Sequence, residues 1–157
     1  MKKTILILAA VLGFAVAASA QPKALGVRIG WGVDISYQNN LNGSADFLEF
    51  DLGLDDGYNT SNFHVDGIYN FMIAQPDWTS RGTWGFYGGP GASLAVWDND
   101  DKDNVVYAGI IGNLGLEYTF DAPVKLFLDV RPRLMFGDGG VRSKGIFNFG
   151  FGICYAF

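Results

Sequence analysis

The sequence predicts an all-β protein, an antiparallel up-and-down transmembrane β-barrel of about eight strands. The first observation is the segment 145–157, in which bulky apolar residues from Phe147 to Phe157 alternate with small residues such as Gly150 and Gly152. Successive side chains of a strand point to opposite faces, so this segment has one apolar face and one face of small groups. Membrane barrels turn their large apolar side chains toward lipid, and the pattern is typical of such a strand.

The second observation is that the same period of two recurs along the chain, without convincing helical periodicity. The six further runs are 25–37, 47–54, 63–73, 83–97, 106–120 and 124–136. Clusters of turn-forming residues lie between these runs, at 39–44, 55–62, 75–82, 98–104, 121–123 and 137–144. Short strands that follow one another in this way favour a meander, which closes as an up-and-down barrel.

The seven runs leave the strand count open, because bacterial single-chain barrels have an even number of strands. One run is therefore expected to contain a hidden turn. The first run could break at residues 30–32, or the fourth at residues 88–91, and the pattern does not decide between them. With the closing strand as the reference, residues 121–123 are predicted to form a periplasmic turn, and 98–104 and 137–144 extracellular loops.

The third observation concerns the beginning of the chain. Two lysines precede an apolar run over residues 5–18, and Ala18-Ser19-Ala20 has the small-x-small pattern of a cleavage site. The apolar run is too short to cross a bilayer comfortably, so the arrangement predicts a secretory signal peptide. We therefore assign residues 1–20 to the signal peptide and residues 21–157 to the barrel domain.

Composition and charge exclude some classes of function. After the signal peptide the chain has nine basic and sixteen acidic residues, and this balance argues against a nucleic-acid partner. A single cysteine, Cys154, cannot form an intrachain disulfide, and we expect an inert buried thiol. Beyond residue 20 no apolar run approaches the roughly 20 residues of a membrane helix.

The strongest polar feature is a set of charged residues on the inward parity of the strands. A charge that faces lipid costs about 2–4 kcal/mol at mid-depth for Arg or Lys, so these residues are expected to face the lumen. The candidate lumenal residues are Arg28, Asp34, Glu49, Asp51, His64, Asp66, Glu117, Lys125, Asp129, Arg131 and Arg133. A barrel this narrow is filled by side chains, which favours a structural network of ion pairs and hydrogen bonds. A narrow gated conduit and a small-ligand site at the mouth remain alternatives.

The sequence supports a catalytic site or a metal site less strongly than it supports the lumenal charge network. His64 and Asp66 share the inward parity with Ser36 and Ser93, so a Ser–His–Asp arrangement is allowed by direction, but no Gly-x-Ser-x-Gly elbow is present. The acidic loop 98–104 lacks the Gly and the final Glu of a calcium-binding EF-hand loop. We therefore expect no cofactor and no dedicated metal site. Loose bridging of this loop to lipopolysaccharide by Ca²⁺ or Mg²⁺ is an alternative.

Several motifs carry a resemblance to a known family. The terminal Phe157 follows Tyr155, Ile153 and Phe151 at alternate positions. One strand contains the glycine-rich motif Tyr87-Gly-Gly-Pro-Gly91. Another contains a Gly-x-Glu-Tyr-x-Phe motif, Gly115-Leu-Glu-Tyr-Thr-Phe120. The whole mature chain resembles the small, roughly eight-stranded outer-membrane β-barrel proteins of Gram-negative bacteria. This resemblance implies an outer-membrane location and an assembly signal at Phe151, Ile153, Tyr155 and Phe157, read by the barrel-assembly machinery.

The resemblance is less informative about activity, because the family includes scaffolds, adhesion-related proteins, minor channels and a few lipid-modifying enzymes. The lipid A deacylases of this group carry a His-x-Ser pair near the last strands, and this sequence has none there. We expect a non-enzymatic, monomeric barrel with a polar filled lumen and a structural or surface-interaction role. Its expected partners are outer-membrane lipid and lipopolysaccharide. The alternatives are a small porin-like channel and an outer-membrane lipid-modifying hydrolase.

Overall fold

The computed structural model of the protein describes residues 23–41, 43–57, 60–99, 102–137, 140–142 and 148–157. The predicted signal peptide, residues 1–20, lies outside the described residues. Within the described ranges, no helix has the length and apolar character needed to cross a bilayer.

In the described part of the chain, ten antiparallel strands form a single closed sheet. Their bounds are β1 Lys23–Ile29, β2 Gly32–Asn40, β3 Phe47–Gly57, β4 Thr60–Ala74, β5 Thr83–Asn99, β6 Lys102–Thr119, β7 Val124–Val130, β8 Arg133–Gly137, β9 Gly140–Arg142 and β10 Phe149–Ala156. Strands β1 to β6 pair in sequence order, β6 pairs with both β7 and β8, and β10 pairs with β7 and with β1. The barrel wall is therefore eight strands around, and each place in this circle is called a wall position. Strands β7 and β8 together occupy the seventh wall position, and β9 and β10 together occupy the eighth. The predicted all-β, up-and-down barrel is confirmed.

The strand count is resolved by a turn between β1 and β2. Gly30 and Trp31 separate these strands, and the Gly30 backbone N–H donates to the Gly32 carbonyl at 2.9 Å. A Cβ added at Gly32 would meet the backbone of Leu54 and Asp55, so the close approach of β3 requires glycine there. The alternative break at residues 88–91 is wrong, because those residues lie inside the unbroken β5.

The predicted strand 124–136 is interrupted at Arg131 and Pro132 but keeps its register. Proline has no backbone N–H and cannot donate to a sheet ladder. Its carbonyl still accepts a hydrogen bond from Gly112 at 2.9 Å, and β6 pairs with β7 and β8 on either side without a shift. Arg131 therefore keeps the inward direction that the alternation predicts.

The two faces of the wall have opposite chemistry. Large apolar side chains point outward and are exposed, among them Ile29, Ile73, Val106 and Phe149. The charged and amide side chains of the inward parity are buried in the lumen, as the sequence predicts. The lower end of the barrel carries residues 41, 43–46, 75–82 and 120–123 with Lys23 and Phe157. The upper end carries the turn at 30–31 and the upper ends of β3, β5 and β8.

The strands are strongly tilted, and the pairing register shows it. One row of paired residues runs from Ile29 through β2, β3, β4 and β5 to Val106 on β6. In the other direction the same row runs from Ile29 through β10 and β7 to Leu116 on β6. The two ends of the row are ten residues apart on β6, which corresponds to a tilt of about 40° for eight strands. Along the barrel axis, the row of paired residues therefore rises by about 3 Å for each strand that it crosses from Leu116 toward Val106.

Candidate functional site: the lumenal charge network

Arg131 lies at the centre of the lumen and is 1% exposed. Its guanidinium donates to Asp129 at 2.9 and 3.1 Å, to Glu49 at 2.9 Å, and to Asp51. Two strands on opposite sides of the barrel supply these carboxylates, because β3 carries Glu49 and Asp51 and β7 carries Asp129. The side chain of Arg131 thus crosses the lumen and connects opposite walls.

Glu49 is the most extensively hydrogen-bonded carboxylate of the network. Besides Arg131 it accepts from the Ser36 hydroxyl at 2.9 Å, from Asn70 at 2.9 Å, and at 3.4 Å from both Gln38 and Asn113. A buried carboxylate is stable only when it is paired and hydrogen-bonded in this way. These donors fix the position of Glu49 from several strands at once.

Arg28 extends the network toward the seam between β1 and β10. Its guanidinium forms a bidentate contact with Asp129 at 2.6 and 2.9 Å and donates to Asp34 at 3.0 Å. Asp129 therefore lies between two arginines, Arg28 and Arg131. Bidentate arginine–carboxylate contacts are both strong and geometrically specific, so this pairing orients all three side chains.

The upper end of the network contains His64. Its Nε2 atom lies 3.2 Å from Asp34 and 3.7 Å from Asp66, and its Nδ1 atom lies 3.7 Å from Asp55. Arg133 contacts two of these three acids: it donates a hydrogen bond to Asp66, and its guanidinium lies 3.7 Å from the Asp55 carboxylate. Each acid at this end therefore has both a histidine and an arginine as neighbours.

The lower end of the network is formed by Lys125. Its ammonium lies 3.0 Å from Glu117, donates to Gln38 at 3.3 Å, and sits 5.2 Å from the centre of the Phe47 ring. Phe47 packs edge-on against the buried Tyr87 with ring centroids 5.1 Å apart. Two buried aromatic rings thus pack beside the ammonium of Lys125.

The structure brings all eleven sequence-predicted lumenal residues inside the barrel and joins them through direct contacts. Asp55 is a further member of the network, and the sequence pattern predicts a turn at this position although β3 extends through it. The lumenal set predicted from the sequence also omits the amides of Gln38, Asn70 and Asn113, whose inward parity would have identified them. These amides are neutral, so a prediction based on charge does not include them, although all three donate to Glu49.

Two cavities of the lumen are lined by described residues. A cavity of about 10 Å³ lies near the upper end, beside Trp31, Asp55, Arg131 and Arg133, and could hold roughly one water molecule. A wider cavity of about 500 Å³ opens at the lower end, where Lys125 and Glu117 form part of its lining. The charged and aromatic side chains described above separate the two cavities.

Neither Ser36 nor Ser93 forms a hydrogen-bonded nucleophile–base pair with His64. The Ser36 hydroxyl donates to Glu49, and the buried Ser93 hydroxyl has no hydrogen-bond partner among the described residues. No group of three or more His, Cys, Asp or Glu side chains in the described ranges is arranged to hold a metal ion. The acidic loop 98–104 lies at the β5–β6 tip, and its side chains are outside the described part of the chain.

The predicted assembly signal lies on the outside of the barrel. Phe151, Ile153, Tyr155 and Phe157 are all exposed, and the rings of Tyr155 and Phe157 stack with centroids 6.4 Å apart. Backbone hydrogen bonds in both directions, at 2.8 and 3.0 Å, join Phe157 to Lys23. Recognition of these residues by an assembly machinery stays a prediction.

Aromatic side chains also cluster at the lower end of β5 and β6. Trp84 lies 4.7 Å from Tyr118, which lies 4.6 Å from Phe120, all measured between ring centroids. Trp78, from the loop between β4 and β5, packs on Trp84 at 5.5 Å and on Phe86 at 5.4 Å. Aromatic residues at this position are typical of a membrane–water interface.

These features define a class: a closed eight-stranded antiparallel barrel with an apolar outer wall and a lumen filled by a charge network. No protein-family model matches the sequence, and no curated protein matches it. Among solved structures, the N-terminal β-barrel domain of Pseudomonas aeruginosa OprF is similar, with a TM-score of 0.49 and 16% sequence identity over 87% of this chain and 96% of that chain. This likeness is distant, and the fold assignment rests on the closed sheet itself.

Proposed function

We propose that this protein is a monomeric integral β-barrel of the outer membrane, exported through the periplasm by its signal peptide. One observation carries this proposal: the wall exposes large apolar side chains while the interior buries charge. Val106 and Ile73 are each 63% exposed and Phe149 is 68% exposed, whereas Arg131, Glu49 and Asp51 are almost fully buried. Water-soluble monomers rarely expose contiguous apolar surface on this scale, and lipid is its natural solvent.

The role that we propose is structural or interactive, not transport. Four basic residues and seven carboxylates fill the lumen with direct contacts, and the cavity beside Arg131 is about one water molecule in size. A hydrated ion could not pass this point without breaking the contacts of Arg131. Function would then depend on the outer wall and on the loops, in contact with lipid, with lipopolysaccharide and, during biogenesis, with the barrel-assembly machinery.

Fractionation and conductance test this proposal together. We expect the protein to stay with the outer membrane after a carbonate wash, to migrate differently on gels before and after heating, and to give no stable openings in planar bilayers. Extraction by carbonate would contradict the membrane location. Discrete openings whose ion selectivity changes in Arg133→Glu would instead indicate the porin-like channel.

We also propose that the barrel is not an enzyme, because acids surround His64 and neither Ser36 nor Ser93 is hydrogen-bonded to it in the described part of the chain. Expression of the wild type and of His64→Ala should therefore give the same lipid A and phospholipid profiles by mass spectrometry. Ser93→Ala serves as the matched control, and heat-dependent migration verifies that each variant is folded. A lipid change that the wild type produces and His64→Ala abolishes would support the hydrolase alternative.

A further inference from the structure

The apolar outer wall differs greatly in height between two opposite sides of the barrel. On β6, outward apolar side chains extend from Val106 to Tyr118, which corresponds to about 30 Å along the barrel axis at a tilt of about 40°. On β1 they extend only from Leu25 to Ile29, which corresponds to about 10 Å. A barrel in the outer membrane normally has an apolar band about 25 Å tall. The side formed by β1 and β2 is called the low wall below.

The low wall ends in a turn whose backbone requires polar surroundings. Gly30, Trp31 and Gly32 connect β1 to β2, and one hydrogen bond, from the Gly30 N–H to the Gly32 carbonyl, closes the turn. Irregular backbone that faces hydrocarbon leaves polar groups unsatisfied, at several kcal/mol for each group. Water or lipid headgroups must therefore reach the turn. Trp31 is 50% exposed there, and tryptophan favours the headgroup level of a membrane.

Aromatic residues at the lower end of the barrel favour an upright orientation, in which tilting does not remove the mismatch. Tyr155 on β10, next to the low wall, and Tyr118 on β6, two wall positions away, lie within about 3 Å of the same height along the axis. Aromatic side chains at both places favour an upright barrel with an even lower boundary. The height difference is then confined to the upper leaflet.

We propose that the low wall thins the bilayer locally, by drawing the headgroups of the upper leaflet down to the turn at residues 30–32. The partner of this surface is lipid with a short apolar thickness. A bilayer accommodates a short apolar wall by thinning, at a fraction of a kcal/mol per Å of mismatch. This inference rests on the proposed membrane location, and it adds a defined side of the barrel at which the membrane differs from its surroundings.

Depth measurements with spin labels test the inference. In a Cys154→Ser background, a nitroxide is attached to one introduced cysteine at a time in barrels reconstituted into vesicles of phosphatidylcholine and phosphatidylglycerol. Its depth follows from collision rates with oxygen and with a water-soluble nickel chelate. The upper pair is Val33→Cys and Ile110→Cys, whose positions lie within about 3 Å of the same height on opposite walls. The lower pair is Leu25→Cys and Leu116→Cys, also matched in height.

We expect the label at Val33 to lie about 5 Å closer to the headgroups than the label at Ile110, with equal depths for the lower pair. Equal depths in the upper pair would overturn the inference and leave the membrane location intact. A lower pair in which Leu25 is the deeper position would also overturn it, because that result indicates a rigid tilt. Water-like collision rates at all four positions would remove the membrane location itself, and the inference with it.

Discussion

Replacement of Arg131 by methionine is expected to lower the free energy of unfolding by about 3–5 kcal/mol. The buried carboxylates of Glu49, Asp51 and Asp129 all use this guanidinium, and its loss leaves them close together without their common cation. Removal of one partner from a buried ion pair is far more damaging than replacement of the whole pair. Urea unfolding of the refolded barrel, followed by tryptophan fluorescence and heat-dependent migration, measures the effect.

Arg133→Met is the matched control for this prediction. Arg133 has a side chain that is 10% exposed and contacts two acids, Asp66 and Asp55, so water can replace part of what it supplies. Its replacement should cost clearly less than that of Arg131. Neutralising Glu49→Gln and Asp51→Asn together with Arg131→Met should recover much of the lost stability. Equal losses for Arg131→Met and Arg133→Met would contradict a central role for Arg131.

Gly152→Ala is expected to lower the free energy of unfolding by about 1–3 kcal/mol. A Cβ at Gly152 would overlap the ring of Phe127, which is 2% exposed and packs with Ala24 and Cys154 at the lower end of the lumen. The ring cannot move away without displacing those neighbours, since interiors of this kind are closely packed. Urea unfolding again provides the measurement.

Gly67→Ala provides the control, because both glycines lie in strands and gain the same methyl group. At Gly67 the added Cβ would meet only the Phe50 ring, at 3.7 and 3.8 Å, which is ordinary van der Waals contact. We expect this variant to be neutral or slightly more stable than the wild type. The double variant Gly152→Ala with Phe127→Leu should be less destabilised than the two single changes added together. Similar losses for Gly152→Ala and Gly67→Ala would argue against overlap with Phe127.

The alternation of the sequence predicts the direction of side chains well and their partners poorly. Arg28 and Asp34 are correctly assigned to the lumen, because a period of two fixes the face of each strand residue. The contact of Arg28 with Asp129 could not be predicted, since it joins residues 101 positions apart across the closing pair of strands. Partner choice depends on the register of the closed sheet, and no local pattern contains that information.

The turn between β1 and β2 shows why the strand count could not be settled from the pattern. Ile29 and Val33 face outward on two different strands, and Trp31 between them keeps the same parity. A turn of this length therefore leaves the alternation undisturbed. Conversely, Pro132 interrupts hydrogen bonding in the seventh wall position without changing its register. Periodicity reports the direction of side chains and is insensitive to both features.

The closing pair of β1 and β10 also has a kinetic consequence. Residues 24–29 pair with residues 151–156, so the wall can close only after the two ends of the barrel domain have met. Contacts at such large sequence separation raise the contact order, and chains rich in them fold slowly because loop closure must precede any gain in stability. Arg28 and Asp129 meet across the same closing region, so this ion pair can form only when the two ends of the wall come together.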